Sequence, residues 1–284
     1  MNKIAIVVDS GCNVPVNYAQ EKGIYTIPLR INYNEKEYLD GVNITPAEVY
    51  STLQDEIPRT SLPTGDDIMQ LFDQIKADGF TDILCITISS NLSGTNNIFR
   101  LLIDDIEDMN IRLVDSKNIA IGSGFLALLA QDCIDKGYTL DETYKEVCAN
   151  LSNSKVLFCV DTLEYLRKGG RIGLVSGFIG EKLNLKPVIT CNDEGVYYTA
   201  AKSKGKKNAV KKIVELVGEF IDGSSSYQLC ISNGGAPNSE IEEFKSFVLK
   251  QFPNATAVYT TDISPTLGVH TGPGLLGVGI LRVK

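Results

Sequence analysis

Apolar residues fall into two kinds of pattern along the chain. Residues 4–8 (IAIVV), 83–89 (ILCITIS) and 111–115 (IRLVD) are short runs rich in β-branched side chains. Patterns of helical length separate or follow them. Such alternation predicts a parallel sheet covered on both faces. Helix starts are marked by side-chain chemistry. Thr45-Pro46-x-Glu48 is a capping box with proline at the first helical position. Thr64 with Asp67, and Thr139 with Glu142, repeat the spacing. Residues 119–136 are the most apolar helix candidate and are expected to be buried.

The second half reads differently. Residues 155–160, 186–191 and 195–201 are predicted strands, and the turn CNDEGV joins the last two as an antiparallel hairpin. A lysine-rich helix is expected over 206–221 and another over 238–251, with strands at 227–233, 255–261 and 277–283. The whole is read as an N-terminal parallel-sheet α/β domain, residues 1–154, followed by a C-terminal α+β domain, residues 155–284, with a mixed or antiparallel sheet.

Composition narrows the function. Of 284 residues, 43% are hydrophobic and 22% charged, as in globular proteins. The net charge of −8 opposes wholesale attraction to nucleic acid, and leaves peripheral membrane contact to a local basic patch. No apolar run approaches the ~20 residues of a membrane span. The amino-terminal run reads as a strand rather than a signal peptide, so a cytoplasmic location is expected. The seven cysteines are scattered without a C-x-x-C, which argues against a disulfide framework or a cysteine zinc site.

The chain has one histidine, His270, which excludes multi-histidine metal sites. Gly272, Gly274 and Gly277 after it match G-x-G-x-x-G. A dinucleotide loop must open a helix, and here a terminal strand is expected instead. There is no Walker A sequence and no G-x-S-x-G elbow.

Four stretches carry candidate chemistry. RTSLPT (59–64) sets Thr60, Ser61 and Thr64 before a helix, and TISSNLSGTNN (87–97) sets Ser93 after a strand and before another. Hydroxyls at the carboxyl ends of parallel strands suit a carboxylate or phosphate, although each taken singly reads as a cap or turn residue. In DTLEYLRKGGRIG (161–173), two glycines end a short helix and leave Arg171 on a turn. KSKGKKNAVKK (202–212) holds six lysines, Lys202 and Lys204 among them, as a solvated face or a patch for an acidic partner.

Together these stretches, with VVDSGCN, VDSKN, LKPVI and HTGPG, resemble the DegV family of bacterial lipid-binding proteins from end to end. The resemblance implies two domains holding one long-chain fatty acid, such as palmitate, stearate or oleate, in an apolar tunnel between them. No cofactor beyond that acid is implied, and no catalysis of its own. By position in the motifs, Ser61, Ser93, Thr60 and His270 would face the carboxylate. Arg171 would stand near the mouth, with Lys202 and Lys204 on the partner side. Some members present the acid to a fatty acid kinase that makes the acyl phosphate. This chain departs from the family in Leu62 and Thr64, and in Lys202-Ser203-Lys204-Gly205 where kinase carriers often have Lys-Val-Arg-Thr. Lysine does not reproduce the bidentate grip of arginine, which weakens the expectation of a kinase more than that of a lipid.

Two other readings stay open. A serine hydrolase or acyltransferase would use Ser93 as nucleophile and His270 as base. A nucleic-acid module would use the lysine cluster.

Overall fold

The computed structural model describes residues 3–178 and 185–283. Strands β1 (Ile4–Asp9), β2 (Tyr25–Ile27), β6 (Asp82–Thr87) and β7 (Asn110–Asp115) form a parallel sheet in the order β2-β1-β6-β7. Helix α1 (Val16–Lys22) joins β1 to β2. A small antiparallel sheet of β3 (Arg30–Asn32), β4 (Glu37–Leu39) and β5 (Arg59–Ser61) sits beside it, with helix α2 (Pro46–Thr52) between β4 and β5. Helices α3 (Gly65–Ala77), α4 (Thr95–Ile103), α5 (Ile121–Asp135) and α6 (Leu140–Ala149) complete this half. All three predicted capping boxes form, at Thr45, Thr64 and Thr139.

The second sheet has six strands in the order β10-β9-β8-β13-β11-β12. They are β8 (Ser154–Cys159), β9 (Leu185–Cys191), β10 (Tyr197–Lys204), β11 (Ser226–Gly234), β12 (Ala257–Asp262) and β13 (Leu275–Val283). All neighbours run antiparallel except β11 and β12. Helix α7 (Glu164–Lys168) follows β8. Helices α8 (Lys206–Ile221) and α9 (Asn238–Gln251) cover the outer face, and α10 (Pro265–Thr271) leads into β13. The fold is thus α/β, with a parallel sheet first and a mixed sheet second. Helix α10 and the sheet of β3, β4 and β5 escape the sequence pattern.

Helix α5 explains its own composition. Leu126, Ala127 and Ala130 pack toward Ile6, Leu84 and Ile86 of the parallel sheet. Ile121, Phe125 and Leu128 pack toward Cys230 and Leu281 of the other. A helix covered on both sides must be apolar all round. Gly279 of β13 allows the contact, because a Cβ there would lie 2.3 Å from Ile121. One continuous apolar cluster therefore links the halves, running from Ile6 and Val8 to Phe158, Ile189 and Tyr197. All seven cysteines are free, six of them buried. No helix among the described residues is long and apolar enough to cross a membrane.

Candidate functional site

The sequence around α10 builds the site. Ser264 caps the helix by accepting from the Leu267 N–H, and Pro265 takes the first position. Thr266 and His270, four residues apart, then share one helix face. Both line a cavity with Thr60, Ser61, Ser93 and Arg171 on its polar side. Leu62, Ile88, Leu92, Ile119, Leu267 and Tyr197 supply much of its apolar wall. These residues come from six separated stretches and meet at one place.

Thr60 pairs with Ile31 in the small sheet, and its Oγ1 lies 2.8 Å from His270 Nε2. Ser61 is exposed at the rim, where its hydroxyl accepts from Asn32 Nδ2 at 2.8 Å. The Ser93 hydroxyl lies 2.8 Å from Thr95 Oγ1 and accepts from the Thr95 N–H at 3.3 Å. Thr64, by contrast, is a helix cap. Leu62, where the family has glutamine, leans on Gly94 in the Ser93 turn.

Arg171 is placed by the end of α7. Gly170 takes a left-handed φ of 71°, and the Arg171 N–H returns to the Leu166 carbonyl at 2.9 Å. The guanidinium donates to the carbonyls of Leu92 (3.1 Å) and Gly169 (2.8 Å), tying this turn to the one that carries Ser93. It makes no ion pair among the described residues.

His270 is held from the other side by Gly169. A Cβ on Gly169 would stand 2.2 Å from His270 Nδ1. That nitrogen is buried and has no hydrogen-bond partner. Burial, and then the nearby Arg171 charge, lower the imidazole pKa to about 4, so the ring is neutral at pH 7. The glycines after the histidine act elsewhere: Gly272 packs against Tyr165, Gly274 against Asp161 and Gly277 against Phe158. No helix follows them, in agreement with the rejection of a dinucleotide loop.

Lys202 and Lys204 lie on β10, opposite Pro187 and Leu185, exposed and apart from the lining of this cavity. Ser93 and His270 share the cavity but are not bonded to one another; the histidine bonds Thr60. No group of three or more His, Cys, Asp or Glu suited to a metal occurs among the described residues.

The cavity measures about 50 Å³, room for a few waters. Among the described residues, this cavity is thus smaller than the apolar tunnel expected for an acyl tail. Apolar walls such as Ile88, Ile119 and Tyr197 close on one another and bury their surface.

Against this geometry, the sequence model of the family described as "Uncharacterised protein, DegV family" matches residues 3–283. The chain belongs to the DegV family. A DegV domain-containing protein of Clostridium acetobutylicum is 42% identical over 282 residues, covering 99% of this chain and 100% of that one. Among solved structures, a fatty-acid-binding DegV family protein of Thermus thermophilus superposes with a TM-score of 0.92 at 26% identity, over 99% of this chain and 100% of that one. A stearic-acid-binding protein of Eubacterium ventriosum does so with a TM-score of 0.88 at 27% identity, over 99% and 98%. The family motifs name Thr60, Ser61, Ser93, Arg171 and His270, and these line one cavity. Tyr197 and Thr266 also line it, and nothing near them in sequence marks them.

Proposed function

We propose that this DegV protein binds one long-chain fatty acid, with the carboxylate among Thr60, Ser61, Ser93 and His270 and the tail between the two halves. The supporting observation is the convergence of these four residues on one cavity whose other wall is the apolar cluster joining the sheets. The Thermus thermophilus and Eubacterium ventriosum relatives bind fatty acids.

The physics assigns separate tasks to head and tail. Burying an acyl chain of roughly 14 methylenes offers on the order of 11 kcal/mol before costs. A hydrogen bond to a charged group contributes about 1.5–3 kcal/mol. The tail supplies affinity and the hydroxyls supply orientation. Part of the tail's gain is spent in parting the apolar walls that now touch. A neutral imidazole and hydroxyls leave the carboxylate nucleophilic, as its attack on the terminal phosphorus of ATP, with ADP leaving, requires. On this reading the chain carries the acid to an ATP-using kinase, with Arg171 near the mouth and Lys202 and Lys204 meeting the partner. The halves, residues 1–154 and 155–284, act as the two walls.

Native mass spectrometry of the purified protein tests the reading. A co-purified mass equal to a fatty acid, lost on delipidation and restored by oleate or palmitate, is expected. Failure of both acids to bind at saturation overturns it.

A further inference from the structure

Asp40 lies one residue beyond β4, in the first half of the chain, and is 3% exposed. Its carboxylate gathers three donors. Oδ2 accepts from the Ser10 hydroxyl at 2.6 Å and from the Ser264 hydroxyl at 2.9 Å, and Oδ1 accepts from the Thr266 N–H at 3.2 Å. The last two donors belong to the start of α10, 224 and 226 residues further along the chain. None of the three is a cation, and burying a carboxylate without one is costly. The helix already has a local cap, since the Ser264 hydroxyl accepts from the Leu267 N–H. A charged acceptor reaching in from a distant strand adds something a local cap does not: it fixes where the helix sits.

The same small sheet holds both ends of α10. Asp40 is tied to its β3 side, where its own N–H donates to the Leu29 carbonyl at 2.9 Å. Thr60 of β5 meets His270 at 2.8 Å. Between these two points Val269 packs with Ile31, Ile44, Val49 and Leu53. His270 follows Thr266 by four residues, about 6 Å along the axis. A helix of seven residues is not stable alone, so its placement depends on such contacts.

We infer that Asp40 is a positioning residue of the head-group site: by gripping the start of α10 from the other half of the chain, it sets the His270 imidazole against Thr60 and against a bound carboxylate. The effect on lipid rests on the fatty-acid reading above. The effect on the histidine does not.

The test uses delipidated protein labelled at histidine, at pH 7, in the parent, Asp40→Ala, Asp40→Asn and Ser10→Ala. Ring-nitrogen NMR shifts report the hydrogen bond at His270 Nε2, and calorimetry gives oleate affinity. Asp40→Ala should shift the Nε2 resonance and weaken oleate binding about tenfold, as a displaced contact group does. Asp40→Asn keeps an acceptor for the Thr266 N–H and should recover most of both. Ser10→Ala removes a hydroxyl that bonds Asp40 and not α10. It should shift the resonance the same way and weaken binding about threefold. A lower thermal midpoint with the His270 resonance unmoved, in Asp40→Ala or in Ser10→Ala should the former not fold, would make Asp40 merely structural and overturns the inference. So does a shifted resonance with oleate affinity held, or an asparagine as damaging as the alanine. Failure of oleate to bind the parent overturns the fatty-acid reading instead, and the histidine shifts still decide the role of Asp40.

Discussion

The Nε2 of His270 and the Oγ1 of Thr60 lie 2.8 Å apart across 210 residues of sequence. This contact joins the last helix of the chain to the small sheet of the first half. It also fixes which ring nitrogen faces a hydroxyl and which is walled in. Gly169 does the walling, and Arg171, two residues on, lowers the ring's proton affinity.

Gly169→Ala tests that wall. A methyl group 2.2 Å from Nδ1 cannot be accommodated unless the imidazole or the turn moves. Overpacking of this kind costs about 1–3 kcal/mol. Chemical denaturation should show a loss in that range, and calorimetry should show weaker fatty-acid binding. Unchanged stability and affinity would mean the turn is free to yield.

Ser93→Ala separates head from tail. On the proposed reading the substitution removes one hydrogen bond to the carboxylate, about 1.5–3 kcal/mol, against on the order of 11 kcal/mol from the tail. In the proposed carrier role, phosphorylation of the bound acid by a fatty acid kinase should fall further than lipid retention measured by mass spectrometry. Equal losses in both would remove Ser93 from the head-group.

Two buried groups give the delipidated protein opposing pH slopes. Burial raises Asp9 from its ordinary 3.8 to about 7, with Asp40 adding to the rise and the Ile88 N–H opposing it. A raised acid stabilises the fold below its unfolded pKa, and that contribution is lost as pH climbs through 7. His270 is lowered from 6.5 to about 4. Its contribution is complete above 6.5 and is lost as pH falls toward 4. Relative to the parent, Asp9→Asn should therefore lose stability more steeply on acidification from pH 6.5 to 4. His270→Gln should lose it more steeply on going from pH 4 to 7. Denaturant midpoints across this range check both, and profiles parallel to the parent would contradict the two assignments.

Much of the fold is legible where local chemistry is explicit. The capping boxes at Thr45, Thr64 and Thr139 start helices, and the lysine-rich stretch is helical over Lys206–Ile221. The three-residue strands Arg30–Asn32, Glu37–Leu39 and Arg59–Ser61 are too short to show alternation. Helix α10 hides because its seven residues include a glycine and end on another, although Ser264-Pro265 is a legible cap. Thr60, Ser93 and His270 stand in family motifs. Their meeting is a tertiary fact that no local pattern carries. The small size of the cavity depends on packing, which sequence does not display.

The single histidine makes the central claim directly measurable. With the protein labelled at histidine, the NMR titration of His270 without lipid should give a pKa near 4. A fatty-acid carboxylate beside the ring favours the imidazolium, so loading with oleate should move the resonance and raise that pKa. Oleate bound by mass spectrometry, with the His270 resonance and pKa unchanged, would place the carboxylate elsewhere and contradict the account.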